Sequence, residues 1–163
     1  MATESDAPGG LWVLLSLILA MILRILPWSP PLSAFNPDWV ALILLFWTLT
    51  LPERLGIFRA WLIGLLVDAL TARHLGQHAL AYSVMAYLSL SGRSSLIVLR
   101  KPVQMLWILG LLLLGQTLIL WTQPAALAPD FQLSYWYPSL IGALIWPLFS
   151  EGLDRINPLR KPA

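Results

Sequence analysis

Long apolar runs alternate with short polar interruptions along the whole chain. Six runs stand out: Leu11–Leu26, Pro37–Leu51, Ile57–Ala72, His78–Ser91, Val103–Thr122 and Trp136–Gly152. A bilayer core about 30 Å thick takes about 20 apolar residues as helix, with a lower limit near ~17. Pro27-Trp28-Ser29-Pro30-Pro31 closes the first run and Pro52 the second, because proline cannot continue a helix. The fifth run carries no formal charge. Several runs fall short of a full crossing. Thinned bilayer, or helix ends reaching into polar flanks, accommodates this; alternatively the second and fourth are incomplete crossings. The pattern predicts an all-α, polytopic membrane protein, a compact bundle of six transmembrane helices forming one integral membrane domain over 1–163.

Composition sharpens this picture. Of 163 residues, 58% are hydrophobic and 11% charged, against about 45–50% apolar and about 25% charged in an ordinary soluble domain. So small a body cannot hide so much apolar surface from water, and disorder needs the opposite composition. No cysteine is present, which excludes a disulfide framework, a thiolate nucleophile and a zinc–thiolate site. The net charge of +2 does not indicate nucleic-acid binding, because the few basic residues sit between apolar runs.

Their placement instead orients the bundle. Arg54, Arg59, Arg93, Arg100, Lys101, Arg155, Arg160 and Lys161 fall on one side of a six-span map, Arg24 and Arg73 on the other. Both termini are therefore expected in the cytoplasm, and an odd number of spans would destroy the asymmetry. Met1–Gly10 lacks the basic start of a secretory signal, so no cleavage is expected. Tryptophans favour the headgroup level: Trp28, Trp39, Trp121 and Trp136 map to the outer side, Trp107 and Trp146 towards the inner side, and Trp47 and Trp61 read as apolar filler.

Few residues bear chemistry. Asn36-Pro37-Asp38-Trp39 reads as a helix start, with Asn as N-cap, Pro at the first helical position and Asp in the first turn. Asp68 lies 12 residues beyond Gly56, roughly 18 Å along a helix and a little outside the midplane. An acid at that depth faces protein or water rather than lipid. Ala60, Gly64, Asp68 and Ala72 form a stripe of small residues that admits a close helix neighbour. Asp68 is either a buried anchor or ligand contact, or the acceptor of an interhelical bond from Ser, Tyr or Trp. His74 and His78 have the spacing of a metal pair, but Gly76 interrupts their helix and no third ligand is near; His78 reads better as the cap of the fourth span. Ala79, Ser83 and Ala86 make a second small stripe, suited to packing against the third span. In the last span Gly142 precedes Trp146-Pro147, where proline permits a kink. Glu151 and Asp154 read as solvated ion-pair partners. No Ser–His–acid set, phosphate-cradling glycine loop or carboxylate–histidine cluster appears, so no catalytic residue, cofactor or metal is expected.

Three stretches together resemble the MreD family of the bacterial rod-shape machinery: Asn36-Pro37-Asp38-Trp39 leading into an apolar helix, Gly64-Leu65-Leu66-Val67-Asp68 followed by Leu75-Gly76-Gln77-His78-Ala79-Leu80, and Gly142 with Trp146-Pro147. The resemblance implies a non-enzymatic inner-membrane scaffold that works with MreC, with the MreB filaments, and with RodA and its class B penicillin-binding transpeptidase in peptidoglycan synthesis. It also implies a fold similar to the S-components of energy-coupling vitamin transporters. No catalytic residues carry over; the matching positions are candidates for structure or partner contact. The small stripes beside Asp68 suggest that the MreC transmembrane helix docks at Ala60, Gly64 and Ala79 within the bilayer. Two other classes stay open. A solute-binding transporter subunit would need a polar pocket, for which Asp68, His74, His78 and Trp39 are candidates. A lipid-processing membrane enzyme would gain only slight support from loss of function in Asp68→Asn at normal expression, since the same change disturbs packing.

Overall fold

The computed structural model describes residues 7–29, 32–72, 74–122 and 133–156. Arg73, most of Gln123–Tyr135, the basic tail with Arg160 and Lys161, and Met1–Asp6 lie outside these. Among the described residues the chain forms seven α-helices, two short 3-10 turns and no strand. The helices are α1 (Ala7–Ile25), α2 (Trp39–Thr50), α3 (Ile57–Leu70), α4 (Gln77–Ser91), the one-turn α5 (Arg93–Leu96), α6 (Lys101–Trp121) and α7 (Tyr137–Ile156).

Hydrogen bonds between helix ends show how the six long helices run. At one end of the bundle, Arg24 late in α1 meets Asp38 just before α2 and His78 at the start of α4. There too Gln77 donates to the Thr122 carbonyl just past α6, at 3.2 Å, and Ser139 early in α7 donates to the Gln116 carboxamide oxygen late in α6. At the other end Arg93 donates to the Leu49 carbonyl in the last turn of α2 at 2.7 Å, and Lys101 at the start of α6 donates to Ser150 late in α7 at 2.9 Å. Successive long helices are therefore antiparallel. Arg54, Arg59, Arg93, Arg100, Lys101 and Arg155 sit at the second end, hereafter the basic end; among the described residues Arg24 alone sits at the first.

α2 is the axis. Every residue from Val40 to Leu49 is buried, against α1, α4 and α7. A short helix that is apolar all round belongs in a core. Its polar side chains turn back on its own backbone, Thr48 to the Leu44 carbonyl at 2.7 Å and Thr50 to that of Phe46 at 2.8 Å. Trp47, read as filler, donates its indole N–H to Ser16 of α1 at 2.8 Å. The surrounding helices carry the opposite pattern. Leu11, Leu15, Ile18 and Leu19 of α1, Phe58, Trp61 and Leu66 of α3, Leu106 of α6 and Leu144 and Leu148 of α7 are exposed. Water penalises such a surface, whereas hydrocarbon does not.

Several boundaries differ from expectation. Among the described residues two stretches, Leu32–Thr50 and Lys101–Trp121, are long and apolar enough to cross a membrane, not six. α3 has 14 residues, about 21 Å of helix, because Thr71 ends it inside the third run, whereas α4 has 15, about 23 Å, and ends at Ser91 with the fourth run. α2 begins at Trp39 rather than Pro37, and α7 runs on to Ile156. Trp146 is not an interfacial anchor: it is buried in the core and donates to the Gln104 Oε1 atom at 3.1 Å. Gln104 in turn donates to the Leu96 carbonyl, so one carboxamide ties α5, α6 and α7. Pro147 lies inside α7, and its ring leaves the Ala143 carbonyl without an intrahelical donor.

Candidate functional site

The chemistry gathers where α1 ends and α2 and α4 begin. Asp38 is the N-cap of α2, its Oδ1 accepting from the Ala41 N–H at 3.1 Å. Arg24 reaches the same carboxylate, Nη1 to Oδ1 at 3.0 Å, and the Tyr82 hydroxyl donates to both its oxygens at 2.9 Å. The other Arg24 nitrogen, Nη2, lies 2.7 Å from His78 Nε2, and His78 Nδ1 lies 2.6 Å from Asp68 Oδ1. Five side chains from four helices thus form one chain of bonds: Tyr82, Asp38, Arg24, His78, Asp68.

Donor inventory fixes the proton in the middle. A guanidinium only donates, so His78 Nε2 accepts from Arg24. Nδ1 then carries the hydrogen and donates to Asp68, and the ring is the neutral Nδ1–H tautomer. One Arg balances Asp38; Asp68 is balanced differently. Its carboxylate faces the start of α4 and accepts from the Gly76 N–H at 2.8 Å and the His78 N–H at 3.1 Å. These are orphan donors of a helix N-terminus, whose dipole favours an anion. Gly76 reaches this geometry with φ +102°, a left-handed conformation that side chains resist.

Asp68 is fully buried, so its desolvation must be offset by these bonds. The Arg24–Asp38 pair is at the rim, with side chains 19% and 22% exposed. Removing the outermost hydroxyl tests its share: Tyr82→Phe should lower stability by about 1–2 kcal/mol without loss of the folded state, measured by thermal unfolding in detergent. An unchanged midpoint would mean that Asp38 is already satisfied by Arg24 and Ala41.

The family model described as rod shape-determining protein MreD matches residues 8–152 of this chain. The chain belongs to the MreD family. A rod shape-determining protein MreD of Haemophilus influenzae is 34% identical over 71 residues, a match spanning 44% of each chain. This chain therefore aligns with less than half the length of that relative. No solved structure matches.

Against the MreD motifs, the structure sorts the candidate positions. Asp38, Asp68, Gly76 and His78 come together in the network. Asn36 stands beside it, accepting the Trp39 indole N–H at 2.7 Å. The capping roles shift: Asp38 and not Asn36 is the N-cap, Pro37 precedes the helix, and His78 is the second residue of α4 rather than its cap. Asp68 is near the C-terminal end of α3, and its donors are backbone amides and a histidine, not Ser, Tyr or Trp. Ala60, Gly64 and Ala79 are buried, where α3 packs against α4 of the same chain. A Cβ on Gly64 would lie 2.5 Å from the Ala79 nitrogen and 2.6 Å from the His78 carbonyl carbon. That seam is full, so it is not the docking groove for a partner helix expected from the stripe. Ala72 leaves the stripe, because α3 has ended and the residue turns outward with φ 50°. Gly142 faces Leu112, Pro37 and Leu42, joining α7 to α6 and to the entry of α2, while Trp146 and Pro147 lie nearer the basic end, away from the network.

The polar lining imagined for a solute is not assembled either. His74 is exposed, Trp39 is bonded to Asn36, and Asp68 and His78 consume one another's bonding capacity. No group of three or more His, Asp or Glu suited to a metal occurs among the described residues. Sequence reasoning missed Arg24 and Tyr82. As a sequence feature Arg24 marks topology alone, yet it and Asp38 are opposite charges flanking one interhelical connection. Tyr82 lies four residues after His78, hence on the same helix face.

Proposed function

We propose that this chain is a non-enzymatic scaffold of the rod-shape and cell-wall elongation machinery in the bacterial inner membrane. In this reading it crosses the bilayer six times with both termini cytoplasmic, and the basic end faces the cytoplasm. The observation that carries it is the distribution of chemistry: ionisable groups are consumed inside by one another, while the outer helix faces are apolar. Among the described residues the ionisable side chains inside the bundle are bonded to one another, and the apolar faces offer a large surface on which membrane partners can pack.

MreC is the proposed direct partner through its transmembrane helix. With the α3–α4 seam filled, the outward face of α1 offers the broadest site, with Leu11, Leu14, Leu15, Ile18, Leu19 and Ile22 all exposed. RodA and its transpeptidase bind elsewhere on the apolar surface, and MreB is reached through the short loops of the basic end. Family membership supports the role in rod shape; the particular partners are the proposal.

Affinity purification from detergent or nanodiscs, followed by mass spectrometry, is the test. MreC and RodA should be recovered, and Leu15→Ala/Leu19→Ala should lower MreC recovery severalfold at unchanged expression. Recovery of neither, with a small molecule retained by the purified chain, would favour a solute-binding subunit instead.

A further inference from the structure

We propose that the segment joining α4 to α6 is an anchor that recognises anionic phospholipid in the leaflet at the basic end. Buried α2 and the bonded network leave this segment as the exposed feature whose composition is mixed. Leu96 is tucked into the core, but the next three residues, Ile97, Val98 and Leu99, are exposed, Val98 by 81%. This run of three apolar side chains at the tip of a polar connection is left uncovered by the described residues. Arg100 and Lys101 follow at once and Arg93 precedes. Trp107, also exposed, stands six residues further along α6, and the stacked Phe58 and Trp61 stand on α3 at the same end.

The two chemistries select one occupant. Apolar tip residues and indole rings favour the boundary between headgroup and acyl chain. Guanidinium and ammonium groups beside them favour phosphate. The carboxylates at this end do not cancel them: Glu151 is held by Arg155 at 2.6 Å, and six cations stand against Glu53, Glu151 and Asp154 among the described residues. Arg93 and Lys101 each commit one donor inward, to Leu49 and Ser150, which leaves their remaining donors and those of Arg100 for the membrane surface. The segment thus dips Ile97–Leu99 into the leaflet and closes over an anionic headgroup with Arg100 and Lys101.

This inference rests on the membrane reading above, and the experiment separates the two. The chain has no cysteine, so Val98→Cys and, as a bilayer control, Leu144→Cys on the outer face of α7 can each carry one environment-sensitive fluorophore. Each is reconstituted in vesicles of phosphatidylcholine alone or with one third phosphatidylglycerol, containing acyl-brominated lipid as quencher. The Leu144 probe should be quenched in both. The Val98 probe should be quenched more strongly with phosphatidylglycerol, and Arg100→Gln/Lys101→Gln should remove that preference. Counting retained phosphatidylglycerol on the unlabelled chain by native mass spectrometry should show a preference falling about fivefold per charge removed. A Val98 probe quenched by aqueous iodide, with Leu144 still lipid-quenched, would overturn the anchor and leave the tip to a protein partner. Equal behaviour in both lipids would overturn the anionic recognition. Iodide quenching at Leu144 would overturn the membrane reading itself.

Discussion

Asp68→Ala should be the most damaging single change to the network, lowering stability by about 3–5 kcal/mol. Its carboxylate is fully buried and accepts from the Gly76 and His78 amides and from the His78 ring. Alanine leaves the first turn of α4 with orphan donors, and it frees His78 from the orientation that lets Nε2 accept from Arg24. The effect should therefore spread to α1. Asp68→Asn keeps shape but cannot accept at every position, because one terminal atom now donates; a loss of about 1–3 kcal/mol is expected. Thermal unfolding in detergent measures both. If Asp68→Ala melted like the unmodified chain, the carboxylate would not be a structural anchor, and a ligand role would have to be reconsidered.

Gly64→Ala should cost about 1–3 kcal/mol, with bulkier residues preventing folding. The added methyl would meet the Ala79 nitrogen and the His78 carbonyl carbon well inside contact distance. These are main-chain atoms, so no rotamer change relieves the clash and the two helices must part. A sharper form follows: Ala79→Gly should not rescue Gly64→Ala, since the obstruction is backbone and not the Ala79 methyl. Rescue would place the contact elsewhere along the seam. The same measurement serves, with cell-shape complementation as a second readout.

Much of this was legible from residue order. All six runs become helices, because apolar stretches ended by Pro27, Pro52 and the Gly76 turn leave few other solutions. The Ala60–Gly64–Asp68 row announced a close helix neighbour. What the row could not say was whose helix it is, since small residues look alike whether they meet α4 or a foreign span. The network was only half visible. Asp68 and His78 are ten positions apart and share a motif, whereas Arg24 and His78 are 54 apart and meet only because α1 ends and α4 begins at the same level beside α2. Capping was misread by two positions at Asn36–Asp38, because Asn and Asp are equally good N-caps and the choice was made by Arg24 and Tyr82, which hold Asp38.

The pairing of charges also bears on how the chain is put together during synthesis. Arg24 and Asp38 belong to the first helical hairpin, α1 with α2; Asp68 and the amides that receive it belong to the second, α3 with α4. Each hairpin can cancel its own ionic burden as soon as its second arm emerges, without waiting for distant sequence. The contacts of Arg24 with His78 and of Tyr82 with Asp38 then act as the clasp between two halves, each of which already compensates its own buried charge.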